Sequence, residues 1–323
     1  MWFILLKFIL CFLISLAIVF VLMPQFIDYM KRLSVKQSIS EYSLEEDQKK
    51  AGTPIMGGIL FILVPIVVVL AATFGHWRNV EMWIVIISFL GYGLIGFTDD
   101  YLIAVKKNND GLKPSVKFLM QMVLAVVIFM LFKSHTDLTL HIPLANIDLN
   151  LGWGYFLLIV IMFVSGSNAV NLTDGMDGLA AGCSVIALTA FGVIAYLQSK
   201  SDVVLLIVAL IGALFGYLYY NKKPARVFMG DTGSLALGGF MAAVAMVTKS
   251  EIPFILIGGI FAVDTLTVII QVLSVKIRHK RVFTYTPIHF AFRIKGMPER
   301  QVVHMFWLVE ACFAILGLII AII

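Results

Sequence analysis

Long apolar stretches separated by short polar loops set the pattern of this chain. Ten of them run over residues 3–23, 56–74, 82–98, 118–132, 155–170, 179–197, 203–220, 235–248, 253–274 and 302–323. A helix that crosses a bilayer needs roughly 20 apolar residues. Within the bilayer the backbone must also satisfy its own hydrogen bonds. The pattern therefore predicts an all-α, polytopic integral membrane protein with about ten transmembrane helices. The first stretch is similar to a signal peptide, but its long apolar run without an A-x-A-like site reads as a retained span. The segment 133–154 is polar with alternating β-type residues, which predicts a hairpin. There is no internal repeat, so residues 1–323 read as a single transmembrane domain.

Composition strengthens this picture. Hydrophobic residues make up 61% of the 323 and charged residues only 13%, against about 45–50% and about 25% in ordinary soluble domains. A soluble globular enzyme, a disordered chain and a coiled coil are excluded. The net charge is +5, but no basic and aromatic stripe suggests nucleic acid. Nineteen of the 24 Lys and Arg fall in the loops 24–55, 99–117, 171–178, 221–234 and 275–301. The positive-inside rule assigns those five loops to the cytoplasm and leaves both termini outside. Cys11, Cys183 and Cys312 lie far apart in apolar stretches and form neither a metal pattern nor a disulfide framework.

Acidic residues carry the candidate chemistry, because a carboxylate in or near a membrane is costly. Asp99 and Asp100 close the third stretch in GLIGFTDDYL. Adjacent helical residues point about 100° apart, so both can face one cavity. Such a pair suits a divalent metal or a proton acceptor, or simply marks the membrane boundary. Asp174 and Asp177 lie in NAVNLTDGMDGLAAG, at a spacing that shares one helix face, beside Asn168, Asn171 and Thr173. The ordinary alternative there is a polar turn. Asp231 lies in the run M-G-D-T-G-S before the eighth stretch. It can hold Mg²⁺ at a pyrophosphate, or Asp231 or Ser234 can cap the helix. Walker A, H-E-x-x-H and G-x-S-x-G motifs are absent. The last basic loop, with His279 and His289, can grip phosphates or merely follow the positive-inside bias. Asp264 and Glu310 lie mid-span, with no partner apparent in the sequence. They line a polar path or pair within the bundle.

The blocks AGTPIMGG, FTDDYLIAVKK, NAVNLTDGMDGLA, NKKPARVFMGDTGSLALGG and TPIHFAF occur in this order from about residue 51 onward. Together they resemble the phospho-N-acetylmuramoyl-pentapeptide transferase family. This family lies in the polyprenyl-phosphate N-acetylhexosamine-1-phosphate transferase superfamily. The resemblance implies ten transmembrane helices, a cytoplasmic active site in the bacterial inner membrane, and Mg²⁺. It implies transfer of phospho-MurNAc-pentapeptide from UDP-MurNAc-pentapeptide to undecaprenyl phosphate, giving lipid I and UMP, and it leaves room for a homodimer. Asp99, Asp100, Asp231 and His289 match positions tied to catalysis, with Asp231 also the Mg²⁺-associated one. Lys50, Lys117, Asn171, Asp174, Asp177, Asn221, Phe228 and Gln271 match substrate-site positions, with Phe228 an aromatic near uracil. Two departures stand out. Ile55 replaces the Thr of P-T-M-G-G, and Phe290 and Ala291 replace two His of P-I-H-H-H-F. The other readings are a GlcNAc-1-phosphate transferase of the same superfamily and a transporter using Asp264 and Glu310.

Overall fold

The computed structural model describes residues 2–33, 52–75, 77–106, 111–135 and 138–323. Among these it contains twelve α-helices and one two-stranded sheet. The helices are α1 (Trp2–Arg32), α2 (Gly58–Ala72), α3 (Val80–Lys106), α4 (Pro114–Phe132), α5 (Gly154–Thr173) and α6 (Leu179–Leu197). They continue as α7 (Ser201–Asn221), α8 (Gly230–Val247), α9 (Glu251–Ile257), α10 (Gly259–Arg278), α11 (Ile288–Ile294) and α12 (Glu299–Ile322). Nine are long and apolar enough to span a membrane, and the apolar α2 is shorter at 15 residues. The chain is a multi-pass membrane protein, and each of the ten apolar stretches forms helix.

The expected hairpin is present. Strand β1 (Thr139–Ile142) pairs antiparallel with β2 (Ile147–Asn150), with Thr139 opposite Asn150 and Ile142 opposite Ile147. Lys249 Nζ ties it to the bundle by donating to Thr139 O at 2.9 Å.

Three boundaries differ from the sequence pattern. The stretch 82–98 extends into a helix reaching Lys106, so Asp99 and Asp100 lie inside α3 rather than beyond it. The stretch 235–248 begins at Gly230, so Asp231 stands in the first turn of α8. The stretch 253–274 is two helices, broken at Gly258. A break at membrane depth frees backbone N–H groups that need acceptors. Glu310, on α12, supplies one: its Oε2 accepts from Ile260 N at 2.8 Å.

Packing follows the distribution of small residues. Helix α8, GDTGSLALGGFMAAVAMV, is the most buried span and lies against α3, α5 and α2. Small side chains let helix backbones approach closely where lipid supplies no hydrophobic drive between them. At Gly238 a Cβ would start 2.3 Å from Gly166 O of α5. Helix α1 shows the opposite case. Only the stripe Phe8, Cys11, Ser15, Val19, Met23, Ile27 and Met30 is buried, mainly against α7, and most of its other apolar residues are exposed. That arrangement suits lipid contact on most of the helix surface.

Candidate active site

The bundle brings the C-terminal part of α3, the first turn of α4, the end of α5 and the start of α8 to one place. Asp99, Asp100 and Asp231 each offer a carboxylate oxygen there, and these oxygens lie within 4.8 Å of one another. Sequence separation hides this convergence, because α3 and α8 meet only through tertiary packing. Their contact is the most extensive in the described structure.

The three carboxylates do different things. Asp100 is 3% exposed and faces the N-terminus of α8. Its Oδ1 accepts from Asp231 N at 3.1 Å, and its Oδ2 accepts from Thr232 N at 2.9 Å and from the Thr232 hydroxyl at 2.6 Å. It therefore caps α8 from another helix, using N–H groups that no residue of α8 can satisfy. Its negative charge also suits the positive end of the helix dipole. Asp231 is held by side chains: Asn171 Nδ2 donates to its Oδ1 at 2.7 Å, and Lys117 Nζ donates to its Oδ2. Asn171 also donates to Ser234 Oγ at 2.9 Å, and Ser234 in turn donates to Gly230 O at 3.0 Å. Asp99 accepts from Leu112 N at 2.8 Å through Oδ1, while its Oδ2 lies 3.8 Å from Lys117 Nζ.

Three carboxylates around one lysine leave a net negative, all-oxygen site. Hard divalent cations prefer such donors, so the residues present fit a metal ion. Two glycines make the site possible. A Cβ on Gly96 would start 2.0 Å from Asp231 O, so any side chain there would push α8 off α3. Gly230 has φ +70°, and its Cβ would start 2.3 Å from Asp100 Oδ2.

From Asp99 and Lys117 a groove of about 880 Å³ runs between α4, α5 and α10. Its walls are mostly apolar, including Phe118, Leu157, Ile161 and Ile269.

The remaining expected residues are placed around this cluster in other ways. Asp174 caps the end of α5, with its N–H bonded to Val170 O at 3.1 Å. Asp177 ties loops together: its Oδ2 accepts from Ala225 N at 3.0 Å and its N–H donates to Glu299 Oε1 at 3.0 Å. Asn221, 2% exposed, accepts from Gly178 N at 3.0 Å and donates to Val227 O at 2.9 Å. Phe228 is half-buried, and its backbone pairs with the 54–58 segment through Pro54 O at 2.8 Å and Gly57 N at 2.9 Å. Gln271 holds the last loop by accepting from Val282 N and Phe283 N and donating to Phe283 O. Lys50 lies outside the described residues.

His289 is not part of the carboxylate cluster. Its ring is fully buried, with Nδ1 2.8 Å from Asp264 Oδ2. A carboxylate oxygen accepts, so Nδ1 carries the proton. The ring lies against Gly175, where a Cβ would start 2.6 Å from Nε2. Asp264 and Glu310, the two mid-span acids, thus both have partners within the bundle.

A model of the family described as Glycosyl transferase family 4 matches residues 82–249. The phospho-N-acetylmuramoyl-pentapeptide-transferase of Geobacillus sp. (strain WCH70) is 45% identical over 314 residues, covering 97% of each chain. The protein of the same name from Bacillus pumilus (strain SAFR-032) is 45% identical over 301 residues, covering 93% of each. That from Bacillus velezensis is 43% identical over 312 residues, covering 96% of this chain and 95% of its own. The chain belongs to the phospho-N-acetylmuramoyl-pentapeptide transferase family. It is accordingly an enzyme, a phosphosugar transferase.

As a member of this transferase family, the chain shows what its two departures do locally. Ile55 is 6% exposed and sits in the segment that pairs with Phe228 and Met229, so it packs where the Thr of the family pattern would place a hydroxyl. Phe290 lies with its ring against Gly175 and 5.8 Å from the ring of Tyr285, and Ala291 is buried. The last loop is therefore closed by apolar packing around one histidine. Sequence reasoning missed Gly96, Gly111, Gly230 and Thr232, which shape the carboxylate cluster, and Glu299, which links Asp177 to Lys223. A signal was available for Gly96, since it precedes Asp99 and Asp100 by three and four residues and shares their helix face.

Proposed function

We propose that this chain transfers phospho-MurNAc-pentapeptide from UDP-MurNAc-pentapeptide to undecaprenyl phosphate, releasing UMP and forming lipid I for peptidoglycan synthesis. One observation carries the reading to this site: three carboxylates and a lysine converge at the head of a long apolar groove. The groove suits a polyprenyl chain, and its polar head suits the phosphate that ends it. The loop charges favour the cytoplasmic side of a bacterial cell membrane for this cluster.

In the reaction an oxygen of the lipid phosphate attacks the phosphorus that bears the sugar. The bond to the bridging oxygen of the UDP pyrophosphate breaks, and that oxygen leaves on UMP. Phosphoryl transfer of this kind depends mainly on positioning and charge neutralisation. Mg²⁺ held by Asp231 together with Asp99 or Asp100 would neutralise pyrophosphate charge when bound. Lys117 adds a fixed positive charge beside Asp231 and Asp99. Asp99 lines the groove and orients the lipid phosphate or accepts its proton. Asp100 positions the first turn of α8 and so Asp231. Asn171 orients Asp231. His289 acts at a distance, by setting the packing of the 174–178 turn through Gly175. Asp174, Asp177, Asn221, Phe228 and Gln271 frame the loops that would receive the nucleotide sugar.

The test uses purified protein in detergent with Mg²⁺, undecaprenyl phosphate and UDP-MurNAc-pentapeptide, scoring UMP and lipid product, with UDP-GlcNAc in parallel. Metal-dependent turnover on the muramoyl substrate is expected. Turnover on UDP-GlcNAc alone would move the chain to the sister activity. Asp99→Asn should nearly abolish turnover in folded protein, and near-normal activity would remove Asp99 from this role.

A further inference from the structure

Within the apolar groove, one polar side chain is held in place with its donor unused. Gln121 lies on α4, one turn beyond Lys117 on the same face, and lines the groove. It is 1% exposed. Its Oε1 accepts from Asn168 Nδ2 at 2.7 Å, and the same Asn168 nitrogen donates to Val164 O at 2.8 Å. Tyr92 of α3 further fixes the position by donating from its hydroxyl to Gln121 O at 3.0 Å. The amide orientation is thereby set, and Gln121 Nε2 has no hydrogen-bond partner. Across the groove, on α10, Thr265 Oγ1 is likewise buried without a partner.

A buried donor without an acceptor is costly, and native structures rarely keep one without a use. An apolar side chain of similar volume would fill this position without that cost. The groove's occupant must therefore bring acceptor oxygens close to Lys117 while remaining apolar along the rest of its length. A polyprenyl phosphate has both properties: an anionic, acceptor-rich head and a hydrocarbon tail.

We propose that Gln121 is a binding residue for the phosphate of the lipid acceptor. Its Nε2–H donates to a phosphate oxygen beside Lys117, and Asn168 fixes the amide so that nitrogen, not oxygen, faces the ligand. The proposal rests on the transfer reading above. It adds the groups that let the groove select a lipid phosphate over the corresponding alcohol.

The experiment measures both KM values for the full-length enzyme in detergent, varying undecaprenyl phosphate and UDP-MurNAc-pentapeptide in turn. Gln121→Met keeps the volume and removes the donor together with the oxygen that accepts from Asn168, which retains its bond to Val164 O. Its KM for undecaprenyl phosphate should rise about ten- to a hundredfold, the effect of one lost hydrogen bond to a charged group. Its KM for the nucleotide sugar should stay within about twofold of wild type. Gln121→Glu, isosteric but repulsive to phosphate, should be weaker still for the lipid. Undecaprenol, which lacks the phosphate, should inhibit wild type and both variants equally. An unchanged lipid KM in Gln121→Met overturns the proposal, as does an equal loss towards both substrates, which marks a purely structural role. If Gln121→Met does not fold, Gln121→Glu decides alone by the same split. Wild type without turnover on undecaprenyl phosphate would instead overturn the transfer reading itself.

Discussion

Asp99 and Asp100 are adjacent in sequence, yet their surroundings predict different losses. Asp100 accepts three hydrogen bonds from the first turn of α8. Asp100→Asn places an NH₂ donor among those donors, so it should lower both turnover and the unfolding midpoint in detergent. Removal of such a cap costs about 1–2 kcal/mol. Asp99→Asn loses one carboxylate that accepts a single backbone N–H, so its thermal midpoint should stay near wild type while turnover collapses. Equal thermal shifts in the two variants would contradict this division. Gly96→Ala tests the close approach of the two helices. A Cβ at 2.0 Å from Asp231 O forces α3 and α8 apart. Activity should fall at least about a hundredfold, the scale seen when one transition-state donor is misplaced, with UMP release as the readout.

At the scale of elements, the break between α9 and α10 depends on α12. Glu310 Oε2 accepts from Ile260 N near the start of α10, so Glu310→Ala leaves that N–H buried without an acceptor. The loss should be about 1–3 kcal/mol of stability, measured by denaturant unfolding. Glu310→Gln keeps a carbonyl acceptor and should recover most of it. The Asp264–His289 pair joins α10 to α11 in the same manner, both side chains being fully buried. Asp264→Ala, His289→Ala and the double variant should therefore be strongly non-additive in turnover. Additive losses would mean that the two residues act separately. A truncated partner leaves a buried polar group uncompensated, which is why the single changes should each cost nearly as much as the pair.

At the scale of the whole molecule, the loop charges predict an orientation and the carboxylate cluster predicts a dependence on divalent cations. Leu144→Cys, at the exposed tip of the hairpin, should react with an impermeant maleimide on intact cells, and Lys280→Cys in the last basic loop should react only after lysis. The reverse pattern would invert the topology. Removing divalent cations with a chelator should abolish turnover and leave helical content intact, because the bundle is built by packing around α8 and not by the carboxylate cluster.

The periodic run of apolar stretches determined the helical, membrane-spanning class, because bilayer thickness and backbone hydrogen bonding leave few alternatives. The 139–150 hairpin was legible for a similar reason, since strict alternation has one common outcome. The five sequence blocks also carried the family, and with it Asp99, Asp100, Asp231, Asn171 and Lys117. What those residues do to one another was decided by tertiary structure alone. Asp100 caps a helix through Thr232, 132 positions away, Gln271 holds the last loop, and His289 turns to Asp264. Periodicity is a local property of the chain, whereas a hydrogen bond between α3 and α8 exists only after small residues have let those helices meet. The site's shape therefore rests on glycines such as Gly96 and Gly230, which have no side chain to announce their role and act only through the neighbours they admit.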